Sequence, residues 1–170
     1  MKKRYVKHSF TLIELIMVIV IMAIIASAAI PLLVATTEGW IIASQRNEMS
    51  ESAKISLDRI IRELRQINNT TSVIAANSTN FQFIEIGGAN VSFRLSGTTI
   101  QRIENSTANN LTENTNSLVF VYYYSNGTAI TTPAVSPLAT NIDRIDVNFT
   151  LSLGGTQLPF KSSVWPRRLQ

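Results

Sequence analysis

The chain has 170 residues, of which 45% are hydrophobic and 15% are charged, so an ordinary domain must be accompanied by a segment of concentrated apolar residues. It has no cysteine and one histidine, His8, which excludes disulfides, thiol catalysis and cysteine–histidine zinc sites. The formal net charge is +4, and four basic residues with no acid lie within the first nine positions, so the rest is neutral overall. A basic excess placed there is typical of a targeting segment.

An uncharged apolar run follows this basic start. Residues 15–35 read LIMVIVIMAIIASAAIPLLVA, and a helix over this range rises about 31 Å, which matches the bilayer core of about 30 Å. The positive flank predicts a cytoplasmic N-terminus and export of the remainder. A plain signal anchor fits this pattern, and so does a secretory signal with small residues at 26–28. Neither explains Glu14, because a carboxylate costs about 2.5 to 3.5 kcal/mol at mid-bilayer.

The string SFTLIELIMVIVIMAIIASAAIP, residues 9–31, resembles the type IV prepilin N-terminus, which is shared by type IV pilins and by the pseudopilins of type II secretion and competence systems. The resemblance implies a leader, residues 1–9, that a prepilin peptidase removes between Ser9 and Phe10. Phe10 is then N-methylated. The family usually has glycine where this chain has Ser9. In a filament, Glu14 would neutralise the terminal ammonium of a neighbouring subunit; the alternative is that Glu14 only reaches towards the membrane interface.

One long helix is predicted from Thr11 to Ile67. It supplies nearly all of the predicted membrane and filament-core segment, residues 10–37, and all of the predicted amphipathic outer helix, residues 38–67. Pro31 lacks a backbone N–H and should kink or locally melt this helix without necessarily ending it. Apolar residues of the outer part recur at spacings of three and four: Met49, Ala53, Leu57, Ile60, Ile61, Leu64 and Ile67. Opposite charges four residues apart support the helix: Asp58 with Arg62, and Arg59 with Glu63.

The remainder, residues 68–170, is predicted to be an antiparallel β domain. Runs of β-branched and aromatic residues alternate with turn residues, at 81–86, 91–95, 98–103, 118–124 and 145–153, with a last run after Gly155. One sheet with one apolar face would cover the helix, which gives a pilin-like α+β fold. Two loops rich in Asn, Thr and Ser, residues 104–117 and 125–141, are candidates for ligand contact.

The residues of the outer part favour a non-enzymatic protein without metal or cofactor. Loss of the leader removes His8, and Asp143 and Asp146 face opposite sides of an alternating strand. The residues also leave open a calcium site, although they form no spaced ligand loop; its candidates are Glu104, Glu113, Asp143 and Asp146. Five basic residues are candidates for a nucleic-acid contact, which the zero net charge of the processed chain argues against: Arg94, Arg102, Lys161, Arg167 and Arg168.

The resemblance implies a structural subunit of a type IV pilus or a type II secretion pseudopilus. SLDRIIRELRQI at 56–67, the YYY strand and the closing FKSSVWPRR look like minor pilins and J-type minor pseudopilins, which favours a minor subunit. The implied partners are other pilin or pseudopilin subunits, the prepilin peptidase, the inner-membrane assembly platform and, before assembly, membrane lipid. The implied location is the bacterial inner membrane, with the C-terminal domain outside the cytoplasm, and then the filament. The alternatives are a tip subunit that acts as an adhesin or binds DNA, and an anchored or secreted β domain without a filament role.

Overall fold

The computed structural model describes residues 11–67, 70–134, 141–153 and 155–166, which form one α-helix, a 3₁₀ turn and eight strands. The chain divides into two compact units, Met1–Gln45 and Arg46–Gln170. The helix, α1, is Leu12–Leu64 and the 3₁₀ turn is Thr70–Ser72. The strands are β1 Val73–Ala76, β2 Asn80–Ile84, β3 Asn90–Ser96, β4 Thr99–Glu104, β5 Thr107–Thr112, β6 Thr115–Tyr123, β7 Arg144–Leu153 and β8 Thr156–Val164.

Helix α1 agrees closely with its predicted bounds. It continues through Pro31, and the kink at that residue stays a prediction. It ends at Leu64, before the predicted end at Ile67, because the backbone N–H of Gln66 donates to the Glu63 carbonyl at 2.9 Å and tightens the last turn. Ile67 leaves the helix and forms a β-bridge with Glu85.

Two antiparallel sheets are present in the second unit, where the sequence predicted one. The first has the order β1-β2-β3-β4-β5, and the second has the order β6-β7-β8. The chain leaves the first sheet between β5 and β6, where Asn114 has a φ of 55°. The sheets remain in contact: the Phe120 N–H donates to the Ser78 carbonyl at 2.7 Å, and the Thr115 N–H donates to the Thr98 carbonyl at 2.8 Å.

The outer half of α1 packs on these sheets through the predicted apolar stripe. Ala53, Leu57, Ile60 and Leu64 are buried in one core with residues of both sheets. The aromatic part of this core consists of Phe81, Phe83, Phe93, Phe120, Tyr122 and Phe149. The predicted α+β, pilin-like fold is therefore confirmed.

The prediction of a loop over residues 104–117 is wrong. This segment contains β5 and the first residues of β6. Asn105 and Ser106, with φ of 46° and 74°, form a two-residue turn that returns the chain against β4. The sequence did not reveal β5 because TANNLT has no apolar alternation, and it also missed the short strand β1.

The second predicted loop is irregular where the structure describes it. Within residues 125–134, Ala129 forms a bridge with Tyr123, and Ala134 forms one with Ala76 at the outer edge of β1. Residues 135–140 of this loop lie outside the described residues.

Candidate assembly site at the start of the helix

Thr11 and Glu14 form a reciprocal cap at the start of α1. The Thr11 backbone N–H and hydroxyl each donate to Glu14 Oε2 at 3.0 Å, and the Glu14 N–H donates to Thr11 Oγ1 at 3.3 Å. This is the capping box that a threonine followed three residues later by glutamate forms at a helix N-terminus. This cap was not among the features predicted from the sequence, although the spacing in TLIE is its signature.

The cap gives Glu14 a structural role inside its own chain. A carboxylate in the first turn also lies at the positive end of the helix dipole. Only Oε2 is used: within the described residues, Oε1 accepts no hydrogen bond. The predicted cleavage residues, Ser9 and Phe10, lie outside the described residues, and the cap needs neither of them.

The rest of the first unit presents an apolar helical surface. Large hydrophobic side chains between Leu12 and Val34 are at least half exposed, on all sides of the helix. A helix that is apolar all round needs lipid or other helices around it. Within the described part of the chain, α1 is the one helix long and apolar enough to cross a membrane.

Three hydroxyl groups in this part of α1 donate to carbonyl groups of the preceding helical turn. Ser27 Oγ donates to the Ile24 carbonyl at 2.7 Å, Thr36 Oγ1 to the Leu33 carbonyl at 2.9 Å and Thr37 Oγ1 to the Val34 carbonyl at 2.8 Å. Polar groups without water must find such partners, so these residues are compatible with a hydrocarbon surrounding.

Residues 4–30 match the family described as the prokaryotic N-terminal methylation motif. The matched range includes the leader from Arg4 onward, Ser9, Phe10 and Glu14, and it ends just before Pro31. The match supports a type IV pilin-like protein. Proteins with this motif are structural, and in general they are processed by a prepilin peptidase, anchored in a membrane and assembled with other pilin subunits. No curated protein matches this chain.

The prediction that Arg102 belongs to a surface cluster of basic residues is wrong. Arg102 is buried, and its Nε lies 2.6 Å and 2.8 Å from the two carboxylate oxygens of Glu63 on α1. Its Nη1 contacts Glu104. Lys161 lies 3.7 Å from Asp146, and Arg167 and Arg168 are outside the described residues.

Two of the four acidic candidates, Glu104 and Asp146, contact basic side chains within the fold. Asp146 is buried on β7, and its Oδ1 lies 3.2 Å from Arg144 Nε. Arg102 holds the pKa of Glu104 below its usual range, first by its hydrogen bond and then by its charge. Two of the four candidate calcium ligands therefore already contact cationic side chains.

The two charge pairs predicted along α1 have different outcomes. Arg59 and Glu63 form the expected pair at 3.1 Å. Asp58 and Arg62 form no ion pair in the part of the chain that the structure describes. The larger feature around Glu63 was missed, because Arg102 lies 39 positions away in sequence and no local pattern joins the two residues.

Proposed function

We propose that the chain is a structural subunit of a type IV pilus or a type II secretion pseudopilus. The observation that carries this proposal is the match over residues 4–30, which overlaps the capped and apolar start of α1, where the large hydrophobic side chains are at least half exposed. The second unit supplies the folded domain that such a subunit presents outside the membrane.

In this proposal the precursor enters the inner membrane with its C-terminal domain outside the cytoplasm. The prepilin peptidase cuts between Ser9 and Phe10, and Phe10 becomes an N-methylated terminus. Both residues of the cap, Thr11 and Glu14, lie after the proposed cut. The helix therefore keeps its cap when the leader is removed.

Glu14 then has a second task in the filament. Its Oε2 caps its own helix, and its Oε1 accepts the Phe10 ammonium of a neighbouring subunit. Leaving one charge of a buried pair unpaired costs about 3 to 5 kcal/mol, so the pair favours the assembled arrangement.

The scattered resemblance of the outer domain favours a minor subunit, close to the J-type minor pseudopilins. Its partners are other pilin or pseudopilin subunits and the inner-membrane assembly platform. The burial of Arg102 weighs against a DNA-binding tip, since it removes a cation from the surface.

N-terminal sequencing and intact mass of the membrane-derived protein test this proposal. The mature chain should begin at Phe10 and carry the mass of a methyl group there. Ser9→Gly should retain cleavage, and the bulky, charged Ser9→Arg should block it. A chain that begins at Ala29 would show cleavage of an ordinary secretory signal and would overturn the proposal.

A further inference from the structure

The second sheet, β6-β7-β8, has one face towards the core and one face away from it. On β7, Ile145 and Val147 are fully buried in the core. Arg144 and Asp146 alternate with them and therefore lie on the opposite side of the strand. We name this opposite side the outer face; its members used below are Tyr123 on β6, Arg144 and Asp146 on β7, Lys161 on β8 and Trp165 directly after β8.

One buried carboxylate holds two cations on the outer face. Asp146 is 4% exposed, its Oδ1 lies 3.2 Å from Arg144 Nε, and its Oδ2 lies 3.7 Å from Lys161 Nζ. One acid therefore faces two bases, which leaves an excess of one positive charge at this place. Because a buried carboxylate needs compensating charge, Asp146 fixes where the two cationic groups lie.

Aromatic rings adjoin these cations. The guanidinium carbon of Arg144 lies 3.9 Å from the centroid of the Tyr123 ring, a cation–π contact that restricts the guanidinium further. Val164, the last residue of β8, is buried and pairs with Ile145. The next residue, Trp165, is 50% exposed, and strand alternation places it on the outer face in line with Arg144. The outer face thus combines fixed cations with an exposed indole ring.

The two cationic groups retain hydrogen-bonding capacity for a ligand. The side chain of Arg144 is 31% exposed and that of Lys161 is 67% exposed. Within the described part of the chain, neither side chain donates a hydrogen bond, because the contact of Arg144 Nε with Asp146 lacks hydrogen-bond geometry and that of Lys161 is too long. Their exposed N–H groups can therefore donate to the oxygens of an anion.

We propose that the outer face binds an acidic polysaccharide, with a sugar ring packed on Trp165 and sugar carboxylates against Arg144 and Lys161. The C–H groups of a sugar ring are weakly positive and pack on the electron-rich face of an indole ring. Guanidinium and ammonium groups are the ordinary partners of a carboxylate. This inference does not rest on the proposed function, since the outer face belongs to the second unit and needs no neighbouring subunit.

The shape and charge of the outer face favour this ligand over two others. A sheet face is open at its sides, so a chain polymer can cross it, whereas a small molecule needs a concave site that buries most of its surface. A nucleic acid is held chiefly by many phosphate contacts. Here two cations share their charge with Asp146, and residues 10–170 have no net charge.

The fluorescence of Trp165 measures this binding directly. The chain has two tryptophans, and Trp40→Phe leaves Trp165 as the one reporter. The emission of this full-length variant, in micelles of a detergent without sugar, should change on titration with a β-1,4-linked hexamer of mannuronic acid. The matched hexamer of mannose has the same backbone without carboxylates and should bind roughly threefold more weakly, or less. Equal affinity for the two hexamers, or no response to either, would overturn the proposal.

Calorimetric titration of further full-length variants tests each group. Trp165→Ala should weaken binding of the mannuronate hexamer by roughly fivefold or more, and Lys161→Gln by roughly threefold. Trp40→Ala and Lys54→Gln make the same changes at exposed positions on α1 and should keep wild-type affinity. Urea midpoints equal to that of the wild type show that each variant is folded. Wild-type affinity in Trp165→Ala or in Lys161→Gln would contradict the proposed site.

A hexamer of thymidylate serves as the competing ligand, because single-stranded DNA also combines rings that stack on aromatic side chains with regularly spaced anions. It should bind more weakly than the mannuronate hexamer at the same salt concentration. Tighter binding of the thymidylate hexamer would assign the outer face to nucleic acid and overturn the proposal.

Discussion

At the scale of single residues, the contact of Glu63 with Arg102 links α1 to the first sheet. The two side chains are 10% and 7% exposed, and they share two short N–O contacts. A buried ion pair costs much of its Coulomb energy in desolvation, so its net contribution is small while both partners are present. Removing one partner is different, because the other charge then remains buried.

Arg102→Met should therefore destabilise the second unit, by at most about 3 to 5 kcal/mol, because Arg59 still lies 3.1 Å from the buried Glu63 carboxylate. Adding Glu63→Met should recover a large part of this loss. Urea unfolding of fragment 38–170, which contains the whole second unit, measures both values. Arg94→Met, on the exposed side of the neighbouring strand β3, should change stability by less than about 0.5 kcal/mol. A double variant as unstable as the sum of the two single variants would contradict this account.

Glu104, which also contacts Arg102, makes the folding stability of the second unit depend on pH. Its pKa in the folded chain is lowered by Arg102, so the folded state resists protonation more than the unfolded state does. The resulting stability is complete above the ordinary glutamate pKa of about 4.3, and it is lost as pH falls through the lowered folded value.

Glu104→Gln should flatten the decline in urea midpoint of fragment 38–170 as the pH falls below the ordinary glutamate pKa of about 4.3. Glu113→Gln, which replaces an exposed glutamate on the β5–β6 connection, should keep the wild-type pH profile. If both variants follow the wild-type curve, Glu104 does not contribute the acid-dependent part of stability.

At the scale of elements, the outer half of α1 has two opposite faces that a pair of substitutions separates. Leu64 is fully buried against the sheets, whereas Ile55 is 63% exposed. Leu64→Ala in fragment 38–170 should cost about 2 to 5 kcal/mol, and Ile55→Ala should cost under about 0.5 kcal/mol. Thermal and urea unfolding give both values. Similar losses at the two positions would show that the exposed face of α1 is also covered in the fragment.

The elements that were predictable are those whose burial follows a regular period. The stripe at Ala53, Leu57 and Leu64 repeats with the helix turn, and β7 alternates because alternate side chains enter the core. Strand β5 was not predictable, since its position depends on the Asn105–Ser106 turn and on pairing with β4. The division into two sheets is likewise set by contacts distant in sequence.

The candidate sites also differ in whether a local sequence pattern could reveal them. The Thr11–Glu14 cap is local, and the T-x-x-E signature could have revealed it. Arg102 was placed in a surface cluster because its charge alone suggested exposure. Its true partner on α1 becomes visible only when β4 is packed against the helix.

At the scale of the whole molecule, the two compact units differ in where their large apolar side chains lie. The second unit buries its own core, while the large apolar side chains of the first are exposed. Lipid and neighbouring helices cover apolar surface almost equally well, so apolar burial alone gives little preference for filament over membrane. In the proposed function, the charge of Glu14 supplies a preference that lipid cannot offer.

Substitutions at the cap separate the two tasks proposed for Glu14. Glu14→Gln retains the capping box, which accepts glutamine, but it cannot neutralise an ammonium. Thr11→Ala loses the cap, at about 0.5 to 2 kcal/mol, and keeps the carboxylate. Glu14→Leu loses both, and it lowers the cost of membrane insertion. We expect all three variants to enter the membrane.

The amount of each variant found in filaments should then depend on the charge at position 14 and not on the cap. Glu14→Gln and Glu14→Leu should be strongly depleted from sheared filaments, because an unpaired buried ammonium costs about 3 to 5 kcal/mol. Thr11→Ala should be only mildly depleted. The measurement is the ratio of filament-associated to membrane-associated mature protein. Wild-type assembly of Glu14→Gln, together with depletion of Thr11→Ala and Glu14→Leu, would assign Glu14 to the cap alone, because Glu14→Gln keeps the capping box and loses only the charge.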